Sequence, residues 1–350
     1  MTAQASPASW LETWRGRAPG LALALAVALM SVVAAPVVKA ASHGLIALPD
    51  MVMALILGIA LHRAALTPLF QAGLTYAVKT LLRYAIALLG LRIALGDIIG
   101  LGAGVVAVVI AAMAITLVSG VVLARLVGRE TGLGALAGAA NAVCGASATL
   151  ATATVVPDYK SKHADIAFTV VMANAISTLA MLAYPPLCAW LGLSPRQTGV
   201  MFGVTIQDMA QVVGAGYAVS DPVGDVAVIV KLFRVLLLLP VVLAIGAWFA
   251  RRGSPTGEAR VPAPLFAAAF IALAIVNTIV GGTSLAASFA PLKATLIEAS
   301  RWGLLVAIAA LGLGTSVASL AAVGWRHLAV FCGAALVVLA IGLGGAMLVG

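Results

Sequence analysis

The chain has 350 residues, of which 63% are hydrophobic, 36 are glycine, 20 are basic and 11 are acidic. Water-soluble domains carry charge on about a quarter of their residues, and here the share is 9%. At roughly 20 apolar residues per bilayer crossing there is room for about ten to twelve crossings and none for a sizeable soluble domain, which excludes a cytosolic enzyme carried on an anchor.

The net charge of +9 is not gathered into basic runs interleaved with aromatics, so nucleic acid is not an expected partner. Excess base is instead what cytoplasmic loops of membrane proteins carry. Cys144, Cys188 and Cys332 are far apart in apolar surroundings, which gives neither a disulfide framework nor a zinc site. No glycine-rich loop ends in Gly-Lys-Ser/Thr, so no nucleotide is expected to drive the protein. No cofactor or metal is implied.

Apolar runs place spans near 20–38, 45–62, 79–95, 101–127, 133–156, 165–192, 198–219, 224–250, 262–282, 298–317 and 328–349. The expected fold is therefore an all-α polytopic membrane protein of about 11 transmembrane helices. Residues 1–18 read as a cytoplasmic tail and 19–40 as an extra N-terminal helix, too long in its apolar stretch for a typical signal peptide. With the N-terminus inside, twelve Lys/Arg fall at inner ends and six at outer ends, in keeping with the positive-inside bias. Lys160 and Lys162 run against it.

The remaining spans divide into two runs of five, 45–192 and 198–350. Asp50-Met51 stands eight residues before Gly58 as Asp208-Met209 stands eight before Gly216. Lys79 and Arg83 open the third span where Lys231 and Arg234 lie in the eighth, and Gly145-Ala146-Ser147 in the fifth matches Gly314-Thr315-Ser316 in the tenth. An odd number of helices per half makes the halves enter from opposite sides, the inverted-repeat architecture of many transporters.

Mid-span glycine weakens a helix by about 1 kcal/mol against alanine, and Ser or Thr caps a new N-terminus. Breaks are accordingly expected at Asn141–Ser147 and at Gly314–Ser316, forming crossed broken helices. Two half-helix N-termini facing each other would offer free N–H groups to an anion; small residues also permit close helix packing without any site. Asp208 in the seventh span is costly in hydrocarbon unless paired or protonated, and Gln207 and Gln211 share its polar stripe. Lys231 and Arg234, three apart, either compensate Asp208, attract an anion or snorkel to an interface. Pro240 should kink their span.

Leu89-Gly90-Leu91-Arg92, Val143-Cys144-Gly145-Ala146-Ser147, Asp208-Met209-Ala210-Gln211-Val212-Val213-Gly214, Lys231-Leu232-Phe233-Arg234 and Ala309-Ala310-Leu311-Gly312-Leu313 resemble, in order, the sulfate exporter (YeiH-like) family of bacterial inner-membrane proteins. The resemblance implies a multi-pass inner-membrane protein with the inverted-repeat fold of cation/proton antiporters and bile-acid symporters, exporting sulfate or a related sulfonate. Gln207 stands where the family commonly has His, and Ala153-Thr154 where relatives can have Glu-Pro, which moves any proton coupling onto Asp208.

The expected function is secondary active export of a small anion by alternating access, not catalysis. Asn141, Cys144, Gly145, Ala146, Ser147, Gln207, Gln211, Gly314, Thr315 and Ser316 are the expected substrate-binding residues, with Asp208, Lys231 and Arg234 carrying charge or coupling. A proton or sodium ion is the expected coupling partner, the lipid bilayer the medium and a homodimer the assembly. The alternative is a cation/proton antiporter of the same fold, with Asp208 or Asp50 binding the ion.

Overall fold

The computed structural model describes residues 7–41, 49–252, 264–315 and 325–349, and every regular element among them is helical. In chain order these are α1 (Pro7–Ala41), α2 (Asp50–Ala60), α3 (His62–Ala65), α4 (Pro68–Tyr76), a π-helical turn over Ala77–Leu81, α5 (Leu82–Leu89), a 3-10 turn over Gly90–Arg92, α6 (Leu95–Gly100) and α7 (Gly102–Leu126). There follow α8 (Thr131–Ala142), α9 (Ala146–Ala153), α10 (Lys162–Trp190), α11 (Pro195–Thr205), α12 (Met209–Val219), α13 (Asp221–Leu236), α14 (Leu238–Ala250), α15 (Leu265–Gly281), α16 (Ala286–Gly314) and α17 (Trp325–Leu348). Among the described residues seven segments are long and apolar enough to cross a membrane.

The chain forms two compact units, Met1–Ala94 with Ala268–Ser316, and Leu95–Ala267 with Val317–Gly350. In the first, α1 meets α4 at Gly20 and Gly73, and α2 meets α16 at Gly58 and Gly312; a Cβ at any of the four would strike the facing backbone. Small residues let membrane helices approach this closely where no water drives association.

In the second unit α7 and α17 lie antiparallel, Gly104 beside Val349, Gly345 beside Val108 and Gly333 beside Leu123. The pair defines two ends. One, here the basic end, holds Arg129, whose Nη2 lies 2.6 Å from His327 Nε2. At the opposite end Arg196 donates to the carbonyls of Gly100 and Leu101 at 3.2 and 2.8 Å.

Helices α8 and α9 do not continue one another across the unit. A single helix from Thr131 to Ala153 would hold its ends about 33 Å apart. Yet Gly132 packs against the Tyr159 ring, and Arg129 Nη2 lies 3.6 Å from Asp165 Oδ1 at the start of α10. The pair is a hairpin that enters and leaves at the basic end. The same holds for α11 and α12 at the opposite end: Gly199 meets Val223 and Val226, and Gly216 meets Gly224, although a straight helix would separate the two glycines by about 25 Å.

Local sequence explains the chain reversals. At the first, Gly145 takes φ +61° and ψ −119°, a region open to glycine alone. At the second, Ile206 and Asp208 are extended and Asp208 caps α12. The bases are fixed by a capping box of Ser194 and Gln197 before α11 and by the Ser220 hydroxyl before α13. Helices α13 and α14 part at Leu237; Pro240 leaves the Leu236 carbonyl without its intrahelical donor.

Two expectations are thereby corrected. The fifth and seventh apolar runs, each expected to be a single span, are hairpins that return to the end of the unit at which they begin. Lys162, expected opposite Arg129, shares its end. In the tenth run α16 stops at Gly314, where a break is expected, and Thr315 is extended; Gly312 packs on Gly58, Leu311 O accepts from Thr315 Oγ1 at 2.8 Å, and Leu313 O lies 2.7 Å from His62 Nδ1. Gly314 and Thr315 thus sit at the C-terminus of α16, and Ser316, with the new N-terminus expected there, lies outside the described residues.

Candidate functional site: two hairpin tips

The two reversals, residues 143–145 and 206–208, come together inside the second unit: a Cβ on Gly145 would stand 3.7 Å from that of Gln207. Four helix ends converge there, the C-termini of α8 and α11 and the N-termini of α9 and α12. The former carry partial negative charge and the latter partial positive charge.

Lys231 and Arg234, 0% and 1% exposed, supply the counter-charge to the C-termini. Lys231 Nζ donates to Val143 O at 2.6 Å, Ile206 O at 2.8 Å and Gln207 O. An ammonium has three hydrogens, and all three are taken. Arg234 donates through Nη2 to Asn141 O at 2.6 Å, through Nε to Ala142 O at 3.0 Å, and through Nη1 to Gly203 O and Ile206 O at 2.8 and 3.2 Å. Charge-assisted bonds of this kind contribute about 1.5–3 kcal/mol each, which is how two cations tolerate full burial. The snorkelling expectation for this pair is not met. Nor does Asp208 form an ion pair with either among the described residues; its Oδ2 accepts from Ala210 N at 3.0 Å as the cap of α12.

Amide and hydroxyl side chains clamp the tips. Gln207 Nε2 donates to Asn141 Oδ1 at 2.8 Å while its Oε1 accepts from Ser177 at 2.9 Å. Asn141 Nδ2 donates to Ala137 O and, at 3.3 Å, to Phe331 O of α17. Asp208 N donates to Ser177 Oγ at 3.0 Å. Gln211 Nε2 donates to Asn174 Oδ1 and Thr178 Oγ1 at 3.1 and 3.3 Å, and its buried Oε1 has no partner.

The two helix N-termini are not treated alike. That of α12 is occupied by the Asp208 carboxylate. That of α9 has no acidic cap: Gly145 precedes it, and Thr149 N reaches the Gly145 carbonyl at 3.0 Å. Ser147, its second residue, is exposed, and Asp208 is half-buried.

Of the expected site residues, Asn141, Cys144, Gly145, Ala146, Ser147, Gln207, Asp208, Lys231 and Arg234 lie at or directly on the tips, and Gln211 lies one turn along α12. Gly314 and Thr315 belong to the other unit. Sequence reading missed Asn174, Ser177 and Thr178 of α10, whose i, i+3, i+4 spacing in an apolar helix was the available signal. It also missed the basic-end cluster, in which fully buried Asp165 lies 2.8 Å from His327 Nε2 and accepts from Ser161.

The family model described as Conserved hypothetical protein 698 matches residues 19–331. A UPF0324 membrane protein of Chlorobaculum tepidum is 39% identical, over 81% of this chain and 78% of its own. One of Rhizobium meliloti is 41% identical over 79% of each chain. The UPF0324 membrane protein TauZ of Paracoccus pantotrophus is 40% identical over 79% of this chain and 81% of its own. No solved structure matches.

Proposed function

The chain belongs to the UPF0324 membrane protein family, described as Conserved hypothetical protein 698, and from that premise we propose that it is a secondary transporter exporting a small oxyanion, sulfate or an organic sulfonate. Its substrate is held at the hairpin tips and reached alternately from the two sides. The observation that carries the reading is the unequal treatment of the two helix N-termini. Asp208 places a carboxylate on α12, and the start of α9 offers the same kind of place to an anion from solution, with Ser147 exposed beside it. Helix N-termini bind oxyanions through unpaired N–H groups and the helix dipole.

Lys231 and Arg234 have roles in this reading that differ from those of direct ligands. Their hydrogens are spent on the carbonyls of the tips, so they fix the tips and raise the local potential while Ser147, the α9 amides and Asn174 face the substrate. Asp208, half-buried beside the site, is the group to exchange a proton or sodium ion. Two buried cations close by count against cation exchange alone, the alternative reading.

In this reading the two hairpins lie among the crossing segments in a bacterial inner membrane. The basic end of the second unit, with Arg125, Arg129, Lys160, Lys162, Arg251 and Arg252, lies toward the cytoplasm. The reading is tested by flux of labelled sulfate and small sulfonates into proteoliposomes under imposed proton or sodium gradients. Gradient-dependent, saturable uptake of one of them is expected; uptake of none, or of alkali cations only, overturns it.

A further inference from the structure

At the basic end of the second unit an elongated groove of about 310 Å³ runs between α7 and α14, with Ala135 of α8 at its floor. Its walls are Val118, Val121 and Val122 on one side and Ile245 and Trp248 on the other, and the charged side chains in its lining are Arg125 and Arg252. From Leu117 to Arg125 the groove follows α7 for about 12 Å. Both guanidinium groups sit by the Trp248 ring, Arg252 at 4.1 Å from its centroid and Arg125 at 5.9 Å. Among the described residues no carboxylate lines the groove and neither arginine is in an ion pair.

We propose that this groove binds an anionic phospholipid, with one acyl chain laid along α7 and the phosphate held between Arg125 and Arg252. Three observations favour a lipid over a soluble anion. The walls are apolar for their whole length, which an inorganic ion would leave unfilled. Val118 and Val122 are 62% and 44% exposed, so the groove opens sideways along the helices as an acyl chain would enter it. The cations are confined to the end where α7 and α14 both terminate, beside an amphipathic Trp of the kind found at headgroup depth. Basic pockets between transmembrane helices on the cytoplasmic side are a recognised place for anionic headgroups. The same end carries Arg251 and Lys160, whereas the opposite end carries Asp221 and Asp225. A lipid seated here would also pack near the base of the first hairpin, since Val121 and Trp248 lie against the cluster of Ala135, Val156 and Phe249.

The test is native mass spectrometry of the full-length, delipidated protein titrated with phosphatidylglycerol and with phosphatidylcholine. The expected result is at least a fivefold preference for phosphatidylglycerol, unaffected by added inorganic phosphate and lost in R125Q/R252Q. Equal retention of both lipids, a preference unchanged in R125Q/R252Q, or displacement by inorganic phosphate overturns the proposal. Should the double variant not purify as a folded protein, V121W fills the groove without touching either charge. It must then lower retention of phosphatidylglycerol at least fivefold; unchanged retention overturns the proposal as well.

Discussion

Lys231 is bound to both tips at once, to Val143 O on one and to Ile206 O and Gln207 O on the other, which makes it a bolt between two hairpins from opposite ends. Removing one side of a buried charged network costs about 3–5 kcal/mol because its partners are left unpaired. K231M is therefore expected to lower the melting temperature of the detergent-solubilised protein sharply; a melting curve matching wild type would show that the tips do not depend on it. Gly145→Ala is expected to destabilise by about 1–3 kcal/mol, since alanine is strained at positive φ. Asp208→Asn is a cleaner probe of function. Asn caps helices as well as Asp, so folding should persist while gradient-coupled flux is lost; full coupled flux in D208N would take the coupling role away from Asp208.

At the scale of the element, the question is which apolar runs cross. A hairpin of two short apolar helices and a single span of 23 residues have the same composition, so hydropathy could not separate them. The charges could: Lys160 and Lys162 run against the positive-inside bias only if the fifth run crosses. With α8 and α9 returning to the basic end, both lysines join Arg129 and the anomaly disappears. The first reversal was legible because it needs a glycine at positive φ. The second was not, because extended residues such as Ile206 need no glycine, and its one signal was an acid followed by a fresh helix. Gly312 shows the other use of a mid-run glycine, since it serves close packing on Gly58 rather than a break. A labelling experiment decides the topology. With Cys144, Cys188 and Cys332 replaced by alanine, cysteines at Lys160 and Arg251 are expected to react with a membrane-impermeant maleimide from the same side, and one at Asp221 from the other. Reaction of positions 160 and 251 from opposite sides would restore eleven through-spans.

For the whole molecule, the account holds that one helix start is kept vacant for a substrate where its counterpart has been filled by the chain's own carboxylate. Ser147 occupies the second position of α9, so S147D should place there what Asp208 places on α12. An acid in the first turn is worth about 0.3–1 kcal/mol to a helix, and the variant is expected to fold at least as stably as wild type. The most direct measurement is proteoliposome flux of the labelled anion by wild type, S147A and S147D side by side. The account predicts that S147A keeps most of its flux and that S147D, melting no lower than wild type, loses at least tenfold. Flux at the wild-type rate through a folded S147D would mean that the start of α9 is not where the anion sits.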